Sequence, residues 1–220
     1  MPISPEAYDY VKNHWGFRVS WAVWAKDLDL PIGPPSKEQI AETSIFDRTI
    51  NPRILEECNP NVIFVALNCS NEIELDTFSN FHSVNGSIYK LRYALQNSPY
   101  SGGYMTDFFK DYSDSNGKRV LSHFKNKPIE VQKNVEILKD EMKKIGSVNP
   151  IIICLHRGLY DAKHLQNAFP SCKVVHITHY EGSPNDAQCY RLVIMKKLID
   201  GLGCEPWADP LENGWTLISD

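Results

Sequence analysis

Four short apolar runs along the chain have the length and the bounding turns of buried strands. These runs are Val62–Leu67, Tyr104–Phe109, Ile151–Leu155 and Val174–Thr178. Strands that are covered on both faces show up in a sequence as continuous apolar runs rather than as an alternation of apolar and polar positions. The pattern therefore predicts four buried strands.

Helical patterns lie between and after these runs. One begins near Pro128 and stops at Gly146, and its apolar residues recur on one face, at Val131, Val135, Leu138, Met142 and Ile145. Another follows Asn185, a good helix N-cap, and runs towards Gly201. Strands that alternate with helices are typical of a parallel sheet covered on both faces. We therefore predict an α/β fold with three layers, α/β/α, around a mainly parallel four-stranded sheet.

The composition at the two ends differs from that of the centre. We expect a single domain over 1–220, in which residues 1–55 form an aromatic-rich cap, 59–201 the α/β core and 206–220 a short tail. The cap is suggested by a cluster of three tryptophans, Trp15, Trp21 and Trp24. Packing on the sheet is the favoured role for these residues, with base stacking by one of them as the alternative.

Charge and cysteine content limit the class of protein. The net charge of -4 gives no general attraction to nucleic acid, so DNA binding would need a local basic patch. The six cysteines contain no C-x-x-C pair, which argues against a zinc ribbon or an iron–sulfur cluster. No apolar run approaches the roughly 20 residues of a membrane span, and no secretion signal opens the chain. We expect a monomeric cytoplasmic protein with reduced thiols and with neither metal nor cofactor.

Three of the predicted strands carry, at or just beyond their ends, a polar side chain that could take part in binding or catalysis. Val62–Leu67 runs into Asn68, the second run carries Asp107 towards its end, and the last runs into His179. Ligands of open parallel sheets bind beyond the carboxyl ends of the strands, so an amide, a carboxylate and an imidazole are expected at one edge. Each also has a structural alternative: a helix cap for Asn68, a cap or a pair with Lys110 for Asp107, and a satisfied structural histidine for His179.

At these residues the chain resembles the uracil-DNA glycosylase superfamily, across roughly 59–201. The segment VALNCS, residues 65–70, is similar to the asparagine version of the family's first motif, found in its mismatch-specific and single-strand-selective branches. GYMTD, residues 103–107, and HITHY, residues 176–180, are similar to the strand that reads the base edge and to the family's H-P-S motif. Two departures are Cys69 and Tyr180, which stand where the family usually has proline.

The resemblance implies a base-flipping enzyme that hydrolyses an N-glycosidic bond in DNA without a metal. Asn68 would position the attacking water and His179 would contact the base oxygen. Base binding would involve Asp107 and Leu67, together with Phe78 or Phe81 as a stacking partner, for which core packing is the alternative. DNA contacts would come from Tyr180, from Ser183 in the wedge loop 181–186, and from two cations, Lys110 and Arg157. A surface ion pair is the alternative for Arg157.

Asp107 stands where the family has asparagine, and this changes the expected base. An amide can donate to the uracil O4, whereas an ionised carboxylate can only accept hydrogen bonds. A cytosine-type edge presents an amino donor, which is a known partner of carboxylates. We therefore expect cytosine or a modified cytosine, by analogy in phage defence, unless a protonated Asp107 imitates asparagine. The alternatives are a uracil-excising enzyme, a hydrolase of free nucleosides, and a catalytically silent module that binds nucleic acid or nucleotides.

Overall fold

The computed structural model of the protein describes residues 2–24, 42–69, 76–82, 87–183 and 186–203. Three parts of the sequence predictions lie outside these residues: residues 25–41 of the cap, the N-cap at Asn185 and the tail 206–220.

Helices and strands alternate along most of the described chain. The strands are β1 Ser20–Trp21, β2 Asn59–Asn68, β3 Gly103–Phe109, β4 Ile151–Cys154 and β5 Lys173–His176. The α-helices are α1 Pro5–Trp15, α2 Ile54–Glu57, α3 Ile88–Leu95, α4 Gly117–Phe124, α5 Pro128–Lys144, α6 Arg157–Asp161, α7 His164–Ala168 and α8 Ala187–Leu202. Two 3₁₀ turns cover Ser44–Phe46 and Tyr180–Gly182.

The strands form one mixed sheet in the order β1-β3-β2-β4-β5. The pairs β2–β3, β2–β4 and β4–β5 are parallel, so the four predicted strands do form a parallel sheet. The prediction of a four-stranded sheet needs one correction, because β1 adds a fifth strand antiparallel to β3, with Ser20 opposite Met105. A strand of only two residues leaves no period for sequence analysis to detect.

Apolar side chains cover both faces of the sheet. On one face, which we call the first core, Ile63 and Val65 of β2 lie in one cluster with side chains from α1, α4 and α5. On the other face, the second core, Phe64 of β2 and Met105 of β3 lie with side chains from α3 and α8. Successive residues of a strand point to opposite faces, so one short strand serves both cores.

The ends of the two predicted helices are set by recognisable caps. Helix α5 begins at Pro128 as predicted, and Gly146 beyond its end has a φ of 72°, which suits glycine. Helix α8 starts one residue later than predicted, because the Asp186 carboxylate accepts a hydrogen bond from the Cys189 amide at 2.8 Å. It passes Gly201 and ends at Leu202, with Gly203 as its C-cap. None of the helices in the described part of the chain has the length and apolar character of a membrane span.

Candidate functional site

Asn68, Asp107 and His179 all lie at the carboxyl edge of the parallel strands. Asn68 is the last residue of β2, Asp107 is paired in register with Ala66, and His179 follows β5 by three residues. Ala66 of β2 and Met105 of β3 face the second core. Asn68 lies two residues after Ala66, and Asp107 lies two residues after Met105. Alternation along a strand therefore places the amide and the carboxylate on the same face of the sheet.

The Asn68 amide is held by the loop that follows β3. Its Nδ2 donates hydrogen bonds to the backbone oxygens of Tyr112 at 3.1 Å, Asp114 at 2.9 Å and Cys69 at 2.9 Å. The two N–H groups of the amide are shared among these three carbonyl oxygens, two of which belong to the loop, so the nitrogen faces the loop and Oδ1 points away from it. A carbonyl oxygen oriented in this way can accept a hydrogen bond from water.

The His179 ring is a neutral donor whose tautomer is set by the backbone. Its Nδ1 accepts a hydrogen bond from the Glu181 amide at 3.2 Å, so the ring proton is on Nε2. Burial, and to a smaller extent the nearby imidazole of His156, lower the pKa of His179 to about 4. At neutral pH the ring therefore offers an uncharged Nε2–H group.

Asp107 is a buried carboxylate with one amide partner. Asp107 is itself buried, and its Oδ2 accepts a hydrogen bond from Asn80 Nδ2 at 3.1 Å. Burial raises the pKa of Asp107 to about 6, whereas the charge of Lys110 and the hydrogen bond from Asn80 act in the opposite direction. The carboxylate is consequently ionised at neutral pH but close to its titration range.

The segment after His179 folds back over the edge of the sheet. Tyr180 is buried, and burial together with the carboxylates of Glu181 and Asp107 raises the pKa of its phenol, which places Tyr180 near Asp107. The segment is fixed to α3, since Lys90 Nζ donates to the Ser183 carbonyl oxygen at 2.9 Å. The fold thus carries the polypeptide from the end of β5 towards β3.

The positions of the predicted DNA contacts differ from what the sequence suggested. Tyr180 and Ser183 are buried, so neither side chain is at the surface, where a DNA contact would require it. Lys110 is also interior, because its Nζ forms an ion pair with Glu141 at 2.8 Å while only 3% of its side chain is exposed. Arg157 is exposed and follows β4 at the same edge. Its Nε donates to both Asp161 carboxylate oxygens, and its Nη groups have no hydrogen-bond partner among the described residues.

The predicted base-binding apolar residues belong to the cores. Phe78 is fully buried, with ring centroids 5.6 Å from Tyr8 and 5.1 Å from Phe46. Leu67 lies in the first core and Phe81 in the second, both with little exposure. For all three, core packing describes the observed position.

Two polar residues at this edge were not singled out from the sequence. His156 directly follows the apolar run of β4, and its Nδ1 accepts a hydrogen bond from the Leu159 amide at 3.4 Å. Like His179, His156 lies just beyond the carboxyl end of a predicted parallel strand, so its position in the sequence marks it as a candidate in the same way. Asn80 gave no signal, because it lies in a turn and contacts Asp107 across 27 positions of the chain.

A cavity of about 760 Å³ lies at the opposite edge of the sheet, where Ala22, Glu57 and Ser101 are among its lining residues. We place the candidate site at the carboxyl edge because the oriented amide, the neutral imidazole and the buried carboxylate are there. Among the described residues, no group of three or more histidine, cysteine or acidic side chains is arranged to hold a metal ion.

The chain matches no protein-family model, no curated protein and no solved structure. Any statement about its activity therefore has to be argued from the chemistry of this edge.

Proposed function

We propose that the protein is a DNA glycosylase of the uracil-DNA glycosylase type, which acts on a cytosine-type base. The observation that carries the proposal is the pairing of the loop-held Asn68 amide with the neutral, backbone-oriented imidazole of His179 at one sheet edge. Backbone groups bind Asn68 through Nδ2 and His179 through Nδ1. Asn68 Oδ1 is then available as an acceptor, and His179 Nε2–H as a donor, for a substrate.

Hydrolysis of an N-glycosidic bond needs these two kinds of group. A water oxygen bonds to the sugar C1′ while the bond to the base breaks, and the bonding electron pair leaves with the base. The water provides the hydroxyl group on C1′ and the proton that the departing base finally takes up. Asn68 Oδ1 would orient the water, and His179 Nε2–H would donate to the base oxygen on which negative charge develops.

A neutral imidazole suits the donor role. Donors that are fixed before the reaction stabilise developing charge without reorganising during it. The Glu181 amide fixes the ring tautomer of His179, and the low pKa of the ring keeps its charge constant over the neutral pH range.

The base preference follows from Asp107. An ionised carboxylate accepts from the amino group of cytosine and repels the O4 acceptor of uracil. Sites built around a buried hydrogen bond reject the wrong partner by about 10⁴ to 10⁵ in some enzymes. The buried position of Asp107 supports a strong preference of this kind.

Positive potential at the same edge supports a polyanionic substrate over a free nucleoside. Burial and then the charges of Lys197 and Arg157 lower the pKa of His176 to about 4, while the Asp161 carboxylate that pairs with Arg157 acts in the opposite direction. Phosphate binding by such groups supplies most of the affinity of proteins for DNA. We assign that role to Arg157, with Lys197 as a second cation near His176.

The test is an alkaline-cleavage assay on end-labelled DNA that carries a single candidate base, in single-stranded and duplex form. Asn68→Ala and His179→Ala should each lower the single-turnover rate about a hundredfold or more, because both groups act chiefly in the transition state. DNA affinity, measured by fluorescence anisotropy, should change much less than the rate.

Asn167→Ala is the matched control, since Asn167 is an exposed asparagine on α7, and its rate should equal that of the unmutated protein. Binding without strand breakage on any substrate would favour the catalytically silent module. Release of base from free nucleosides but not from DNA would favour the nucleoside hydrolase.

A further inference from the structure

Asn80 is the hydrogen-bond partner of the residue to which we assign base selection. Its Nδ2 donates to Asp107 Oδ2 at 3.1 Å and to the Arg18 carbonyl oxygen at 2.8 Å. Its Oδ1 lies 3.6 Å from Cys69 Sγ, just beyond the end of β2. The amide thus joins three segments of the site: the cap, the end of β2 and β3.

The turn that carries Asn80 is fixed before any substrate binds. Phe78 has a φ of 64°, an uncommon conformation for a bulky residue, and its ring is packed in the first core. Its carbonyl oxygen accepts a hydrogen bond from Ser20 Oγ at 2.8 Å, and Ser20 Oγ is 2.9 Å from His82 Nε2. The core therefore determines where Asn80 lies.

The two carboxylate oxygens of Asp107 are consequently not equivalent. Oδ2 receives the N–H of Asn80, and no other hydrogen bond reaches Asp107 from the described residues. A donor on Oδ2 favours the ionised form of the carboxyl group and fixes its plane, which leaves Oδ1 as the acceptor for a further donor.

The charged groups around Asp107 act in both directions. Lys110 beyond the end of β3 and Arg18 of the cap favour the ionised form, whereas Glu141 of α5 opposes it. The phenol of Tyr180, from the segment after β5, also faces this carboxylate. Lys110 is itself paired with Glu141, so the neutral amide of Asn80 is the group that contacts Asp107 directly.

We infer that Asn80 is a positioning residue that keeps Asp107 as an oriented acceptor and thereby sets the preference for an amino-bearing base edge over a carbonyl-bearing one. The base-preference half of this inference rests on the proposed function, whereas the effect of Asn80 on Asp107 does not. Without the amide, Asp107 would hold its proton at higher pH and would then present a donor, as the family's asparagine does.

The experiment measures the ionisation of Asp107 directly, by NMR of protein labelled with ¹³C at the aspartate carboxyl carbon, with Asp107→Asn to assign the signal. Asn80→Ala should raise the pKa of Asp107 by about one unit, because a hydrogen bond to a charged group is lost. Asn80→Gln retains an N–H donor and should raise it less. Should the alanine variant not fold, the glutamine variant carries the test through a smaller shift in the same direction.

Asn51→Ala is the matched control. Asn51 also donates to a carboxylate, Glu57 Oε2 at 2.8 Å, but this pair lies beside the cavity at the opposite edge. It should leave the pKa of Asp107 unchanged. In excision assays at pH 7, Asn80→Ala should lower the ratio of cytosine-type to uracil excision about tenfold, while Asn51→Ala preserves it.

An unchanged pKa of Asp107 in Asn80→Ala would overturn the inference, whatever the enzyme excises. A raised pKa with an unchanged base ratio would overturn its base-preference half alone. A raised pKa in a protein that excises no base from any DNA would instead overturn the proposed function and leave the coupling of Asn80 to Asp107 standing.

Discussion

A buried carboxylate such as Asp107 is unfavourable for folding, and its presence needs a reason at the level of the residue. The side chain is in the interior and its only described hydrogen bond comes from a neutral amide. Removing an ionised group from water destabilises the folded state unless it is fully paired. Residues that lower stability in this way are found where function requires them, which agrees with base selection by Asp107.

Asp107→Asn should therefore stabilise the protein at neutral pH. The pKa of Asp107 is raised from 3.8 to about 6 in the folded state. The native state therefore binds its proton more tightly than the unfolded chain, and stability is lost as the pH rises through this window. The asparagine variant escapes the loss, so its free energy of unfolding at pH 7.5 should exceed that of the unmutated protein by about 1 to 3 kcal/mol.

Urea unfolding at several pH values measures this difference. The gain should vanish below about pH 3, where the carboxyl group is protonated in both states, and should approach its full size above about pH 7. A variant that is less stable than the unmutated protein at pH 7.5 would contradict the assignment of Asp107 as an unfavourable buried charge.

At the scale of elements, helix α5 and strand β3 are joined by buried polar interactions on the face of the sheet that carries the first core. Lys110 Nζ pairs with Glu141 of α5, and Thr106 Oγ1 of β3 donates to Glu141 Oε2 at 2.9 Å. Lys110 Nζ also donates to Thr106 Oγ1. From the sequence, Lys110 was assigned to DNA contact. Its burial could not be foreseen, because nothing in the local sequence indicates that α5 covers the end of β3.

Removing one partner of this ion pair should destabilise the protein strongly, whereas replacing both partners with apolar residues should not. Glu141→Ala leaves the Lys110 ammonium buried without its partner and should lower the free energy of unfolding by about 3 to 5 kcal/mol. The double variant Lys110→Met, Glu141→Leu should recover most of that loss, because apolar side chains fill the space without a buried charge.

Denaturant unfolding compares the single and double variants, and DNA binding is measured on the double variant. Its affinity for DNA should equal that of the unmutated protein, since Lys110 does not reach the surface. Equal stabilities of the single and double variants would contradict the buried ion pair, and weaker DNA binding by a fully folded double variant would restore Lys110 as a phosphate ligand.

At the scale of the whole molecule, the sequence predicted what depends on local pattern. The four parallel strands and the long helix from Pro128 follow from apolar runs and periodicity, and the structure confirms them. The short strand β1 gave no pattern, because its pairing with β3 is a long-range event at the edge of the sheet.

The same distinction applies to the candidate site. Asn68, Asp107 and His179 could be named because strand ends share an edge. The burial of Tyr180 could not be predicted, and that of Phe78 was one of two alternatives, because burial depends on which distant segments cover these residues. Asn80 was missed for the same reason, since its contact with Asp107 exists only in the folded chain.

The most direct test of the account is mass spectrometry of the free bases released from DNA that contains uracil, cytosine and 5-modified cytosines. The unmutated protein should release a cytosine-type base and leave one abasic site for each base released. Asn68→Ala should release about a hundredfold less in the same time. Release of uracil without any cytosine-type base would contradict the role given to Asp107, and release of no base at all would contradict the glycosylase proposal itself.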